Sequence, residues 1–202
     1  MLPALWLTAV ILAYPARAGD LPGLRSWVDE QTAVSVTAQK SAWTFFRRDV
    51  QATGKLYNFA DLGAFEVNQT GKRRQYLCLL EWVTAPILRK TRVVEDFSTL
   101  TIWADDQPLT FPRYTVNREL LHLTDMPFKG HTYNVLESYY EVSLEQLLTL
   151  SQAKSLRIAA ANQPPDAAPY RSAKEEHKSL LAFTNEVVSI AKQANSSGAL
   201  PK

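Results

Sequence analysis

The sequence predicts an α+β fold. It describes a mainly β domain, a β-sandwich or an antiparallel sheet, with a short helix near residues 143–153 and a C-terminal amphipathic helix packed on the sheet. Three observations predict it. Residues 34–161 fall into short runs of β-branched and aromatic residues broken by Gly, Pro, Asn and Asp, the texture of strands and turns. Residues 73–84 are apolar on both alternating faces, as in a strand covered on two sides. Leu180, Phe183, Thr184, Val187, Ile190, Ala191 and Ala194 recur at helical spacing along one stripe.

Taken in order, residues 19–33 mix Gly, Pro and charge and read as a lead into the fold rather than a regular element. Val34-Ser35-Val36-Thr37 alternates, and Trp43-Thr44-Phe45-Phe46-Arg47-Arg48 is an aromatic strand. Ala64-Phe65-Glu66-Val67 leads through Asn68-Gln69-Thr70-Gly71 into residues 73–84, which predicts a hairpin across that polar turn. In the second arm Tyr76, Cys78, Leu80 and Trp82 share one face; Leu77, Leu79, Glu81 and Val83 share the other.

Residues 97–104 form the next strand. Asp105-Asp106-Gln107-Pro108 is a tight turn, and Leu109-Thr110-Phe111 returns until Pro112. A further β run covers residues 133–142. Ser143-Leu144-Glu145-Gln146 has the form of a capping box, opening a short helix that ends near Ala153. A strand at residues 155–160 and a loop stiffened by Pro164, Pro165 and Pro169 follow. Ser172-Ala173-Lys174-Glu175 reads as a second capping box, starting the final helix. The expected total is seven to nine strands in one domain over residues 19–195, with a disordered tail over 196–202.

Composition supports a globular chain. Its 202 residues are 46% hydrophobic and 21% charged, with 22 basic and 20 acidic residues. That balance excludes a disordered charged tail and does not favour nucleic acid as a partner. The first residues read as an address. Leu5 to Tyr14 is apolar apart from Thr8 and ends in Ala16-Arg17-Ala18. This run is too short for a membrane span of about 20 residues and fits a cleaved secretory signal over residues 1–18. A periplasmic or secreted protein is the expectation, with no integral membrane span after cleavage. Cys78, the single cysteine, lies among apolar residues and reads as a buried, inert thiol.

The motifs of familiar chemistries are missing. There is no Gly-x-Ser-x-Gly elbow and no phosphate-cradling glycine loop, and His122, His131 and His177 are the only imidazoles. His122, His131 and Asp125 make at best a weak metal site, and Asp105-Asp106 reads as a turn rather than a calcium loop. No cofactor or metal is expected.

Two features remain. Arg47 and Arg48, with Arg73 and Arg74 and the run Arg89-Lys90-Thr91-Arg92, make residues 45–92 locally basic among Trp43, Phe45, Phe46 and Tyr76. These arginines are candidate contacts for an anionic envelope component. Glu81 is a carboxylate among apolar neighbours; if buried, it has a raised pKa or pairs with an arginine such as Arg47, Arg48 or Arg74. The resulting expectation is an exported, non-enzymatic module that binds or scaffolds something in the cell envelope. The alternatives are a periplasmic hydrolase using dispersed carboxylates and an assembly or chaperone-like partner of another exported protein.

Overall fold

The computed structural model describes residues 23–48, 57–82, 95–128, 136–163, 168–172 and 178–197. The expectations for a signal segment over residues 1–18, for Arg89-Lys90-Thr91-Arg92, and for His131 and His177 lie outside them.

Ten antiparallel strands form one sheet among the described residues. They are β1 (Leu24–Asp29), β2 (Val34–Gln39), β3 (Trp43–Arg48), β4 (Tyr57–Gln69), β5 (Lys72–Trp82), β6 (Thr99–Ala104), β7 (Gln107–Pro112), β8 (Leu136–Val142), β9 (Leu156–Ala160) and β10 (Tyr170–Ser172). Two helices accompany them, α1 (Leu144–Gln152) and α2 (Lys178–Ser197). The antiparallel sheet with a C-terminal helix on it is therefore the architecture.

β4 is the spine. One edge pairs with β5 along its length, from Phe59↔Trp82 to Gln69↔Lys72. The other edge is shared by two strands: β3 pairs with residues 57–62 and β2 with residues 65–68. At the break between them the Gln39 side chain accepts a hydrogen bond from the Ala64 amide and donates one to Ser179 of α2. A buried backbone group that the ladder leaves open is thus satisfied by a side chain. The β4–β5 turn needs two left-handed residues, supplied by Thr70 (φ 50°) and Gly71 (φ 87°), as in a type I′ hairpin.

The sheet order β4-β3-β10-β9-β6-β7 continues the ring on one side, and β5 and β8 continue it on the other. The two ends meet at one bridge, where Tyr139 of β8 exchanges backbone hydrogen bonds with Thr115 just past β7. Eight strands thereby close on themselves, a size that side chains can fill. Inward residues include Phe45, Leu62, Leu79, Ile102, Tyr140 and Ile158. Leu147 and Leu150 of α1 join Leu180, Phe183 and Val187 of α2 in the same core, at the end where β8 runs into α1.

A second core lies on the outer face of β2, β4, β5 and β8. Phe65, Tyr76, Cys78, Leu80 and Tyr139 meet Leu121, Leu123 and Phe128 there. Gly63 makes room for this covering segment: a Cβ on it would stand 2.4 Å from the Phe128 ring. The two-sided burial predicted for residues 73–84 is the result, with Leu77 and Leu79 in one core and Cys78 and Leu80 in the other. Burial pushes the Cys78 thiol well above its ordinary pKa, with the nearby Glu137 charge adding to it.

Three elements depart from the expectation. Residues 24–29 form β1 against β2 instead of a lead-in. Tyr170–Ser172 forms β10 between β3 and β9. Ser172 ends this strand; the rest of the expected second capping box lies outside the described residues, and α2 is described from Lys178. At its other end α2 runs to Ser197, two residues into the expected tail. The first capping box is present: Ser143 Oγ accepts from the Gln146 amide while the Gln146 side chain accepts from the Ser143 amide.

Candidate functional site

Strand alternation places a polar layer at the end of the ring away from α1 and α2. Arg47 continues the inward face of Trp43 and Phe45 on β3. Asn58 continues that of Ala60 and Leu62 on β4, Glu81 that of Leu77 and Leu79 on β5, and Ser138 that of Tyr140 on β8. Asn58, Glu81 and Ser138 are buried.

Glu95, which precedes β6, closes this layer. Its Oε1 accepts hydrogen bonds from Arg47 Nη2 and, at 3.3 Å, from Asn58 Nδ2. The Arg47 guanidinium also stands 5.1 Å from the centre of the Tyr170 ring. The Glu95 side chain is 3% exposed, and its second oxygen, Oε2, is buried with no hydrogen-bond partner. A buried carboxylate oxygen left open in this way is costly and marks a place where a donor is accommodated.

The layer opens into a groove of about 590 Å³. Beyond the Thr115–Tyr139 bridge, Val116, Asn117, Arg118 and Glu119 form one wall and Leu136, Glu137 and Ser138 the other; Glu81, Glu95 and Arg113 also line it. The Asn117 side chain caps a 3-10 turn at Arg118–Leu121 by accepting from the Glu119 amide. Arg118 and Glu137 face each other at 3.7 Å across the rim, and Glu137 accepts the Tyr139 hydroxyl proton at 2.6 Å. Among the described residues four glutamates and two arginines line the groove, and one of the glutamates, Glu95, is paired with Arg47. The groove volume is within the usual range for small-ligand sites, and strand ends at a barrel mouth are a common place for them.

Of the five residues singled out from sequence, the structure brings Arg47 and Glu81 to this layer. Arg48, the next residue on β3, is exposed on the opposite strand face. Arg73 and Arg74 lie at the far end of β4, opposite Asn68 and Val67, whereas Arg47 lies opposite Asn58. The nine-position offset from Asn58 to Val67 along β4 separates the two basic pairs by roughly 30 Å. Arg73 is also engaged: its guanidinium bonds Glu66 Oε1 at 2.6 Å, and Gln75 bonds the other Glu66 oxygen at 2.7 Å. Burial raises the Glu66 pKa even so, although Gln75 and Arg73 oppose it. Arg74 bonds the Tyr76 side chain and faces the Glu141 charge. Both line a second groove, of about 700 Å³, beside the N-terminus of α1.

Glu95, Asn58 and Ser138 were not legible as site residues. Arg47 carried the available signal: its alternation with Trp43 and Phe45 aims a guanidinium inward, which demands an acid opposite it. Which acid answers is a tertiary fact. Among the described residues no three His, Cys, Asp or Glu side chains are grouped to hold a metal ion. None of the described helices is long and apolar enough to cross a membrane. No family model matches the chain, and neither a curated protein nor a solved structure is similar to it.

Proposed function

We propose that this chain is a non-enzymatic binding module of the cell envelope, exported by its N-terminal apolar segment, and that its ligand presents a cationic group to the groove between β8 and the segment after β7. The observation that carries the reading is the buried Glu95 oxygen without a hydrogen-bond partner, on a residue of a groove that four glutamates line among the described residues. The second groove, lined by Arg73 and Arg74, is a weaker place for a ligand, because Arg73 already pairs with Glu66. A hydrolase is the second reading, favoured by two buried carboxylates, Glu81 and Glu95, in one groove.

The test is recovery of the tagged full chain from its native envelope, followed by extraction and mass analysis of what it carries. An amine-bearing compound retained by the native protein and by Arg73→Ala, and lost from Glu95→Gln and Leu136→Asp, supports the reading. Equal retention by all four overturns it. A recovered compound that is cleaved on incubation with native protein and survives with Glu81→Gln replaces binding by hydrolysis.

A further inference from the structure

We infer that the ligand of this groove is a zwitterionic amphiphile, an ammonium group linked to a phosphate and an aliphatic chain, of the kind an aminophospholipid presents. The inference rests on the binding reading above and specifies its ligand. Three features of one groove match three parts of such a molecule.

At the deep end Glu81 and Glu95 are both buried, and Glu95 Oε2 has no hydrogen-bond partner. An ammonium group, with three donors and no acceptor, satisfies that oxygen, while Arg47 holds the other oxygen of the same carboxylate. The rim is basic. Arg113 is exposed, and Arg118 is only loosely held, 3.7 Å from Glu137 and with 36% of its side chain exposed. An ion pair this exposed contributes little and is readily exchanged. Both arginines line the same groove, and guanidiniums suit a phosphate, which they engage through paired N–H donors. A purely cationic ligand would meet these arginines unfavourably, and a purely anionic one would meet the four carboxylates. The outer lip is apolar. Val116 and Leu136 line the groove while 58% and 41% exposed, and Leu120, next to the lining residue Glu119, is 63% exposed. Large aliphatic residues exposed together beside a charged groove mark an interaction surface, and an alkyl chain leaving the head group passes over them.

The full chain is titrated calorimetrically with four probes, each kept monomeric: a single-chain phosphoethanolamine, the matched phosphoglycerol, the matched alkylamine, and a Leu-Lys-Leu tripeptide amide. The phosphoethanolamine is expected to bind at least tenfold more tightly than the other three. Glu95→Gln and Arg113→Ala should each weaken it about tenfold or more. Since Glu95→Gln removes the partner of the half-buried Arg47, Val116→Asp on the exposed lip gives an independent loss, and melting curves confirm that each variant is folded. Alkylamine binding as tight as phosphoethanolamine overturns the phosphate contact while sparing the cation site. Tighter binding of the tripeptide assigns the groove to a partner polypeptide and overturns the amphiphile. If no probe binds although a Glu95-dependent compound is recovered from the envelope, this inference fails and the binding reading stands; if no such compound is recovered, both fail.

Discussion

At the scale of single residues the fold is held by side chains that answer buried polar groups. Asp29 ends β1 and is buried; its carboxylate accepts bonds from the Thr124 amide and hydroxyl and from the amides of Gln31 and Thr32. These bonds, the Thr124 amide first, lower its pKa from 3.8 to about 2 despite burial. The stabilisation is complete above the unfolded value and is lost as pH falls towards the folded one. Asp29→Asn should therefore flatten the pH dependence of stability between about 4 and 2, and should cost about 1–2 kcal/mol at neutral pH after discounting for nearby solvent. Chemical denaturation across that pH range checks it; parallel curves for the two proteins would show that Asp29 is not the group responsible. Cys78 is the opposite case, a fully buried group whose burial outweighs its hydrogen bond with Tyr139 and raises its pKa. It should resist a thiol reagent without denaturant and react once unfolded. Cys78→Asp should cost several kcal/mol, the scale of an unpaired buried charge.

At the scale of elements, α2 decides whether the ring is plugged. Leu180, Phe183 and Val187 are fully buried in the inner core, and Ile190 is half-buried. Burying three such side chains is worth about 1.5–3 kcal/mol each, which approaches the net stability of a typical domain, about 5–15 kcal/mol. Truncation after Pro169 should abolish cooperative unfolding or cause aggregation, and it also removes β10 from between β3 and β9. An unchanged melting temperature would show that the helix is not part of the core. The same helix carries a defect: Thr184 is fully buried and its hydroxyl has no hydrogen-bond partner. Thr184→Val keeps the shape and removes that cost, so it should stabilise by about 1–2 kcal/mol in a urea titration.

At the scale of the whole molecule, closure makes both the core and the groove. One bridge, Thr115–Tyr139, joins the ends of an eight-strand path, and the groove lies where the chain parts from β8 beyond it. One end of the ring is filled by the apolar stripes of α1 and α2, and the other is left to a polar layer. The deep end of the groove follows from this arrangement, since the residues of that layer come from β3, β4, β5, β8 and the chain before β6. The proposed ligand class belongs to this scale too, because head group, linker and chain would each touch a different part of the mouth.

By itself the sequence determined what local pattern controls. The alternation of Tyr76, Cys78 and Leu80 against Leu77 and Leu79 announced a strand buried on both faces, Thr70-Gly71 announced the hairpin, and Ser143 with Gln146 announced the start of α1. Each depends on residues within one or two turns of chain, where period and capping chemistry are decisive. Short pieces escaped: β1 is polar at Arg25, Ser26 and Asp29, and β10 is three residues long, so neither carries enough period to be read. What only the tertiary structure decided is pairing across distance. Arg47 and Arg73 looked like one basic patch because they are near in sequence and alike in charge. Antiparallel β4 carries their register partners to opposite ends; Arg73 meets Glu66 diagonally across the hairpin, whereas Arg47 meets Glu95, 48 residues away, which no spacing rule connects to it. A strand's alternation says which face a charge is on; the register of its neighbours says what it meets there.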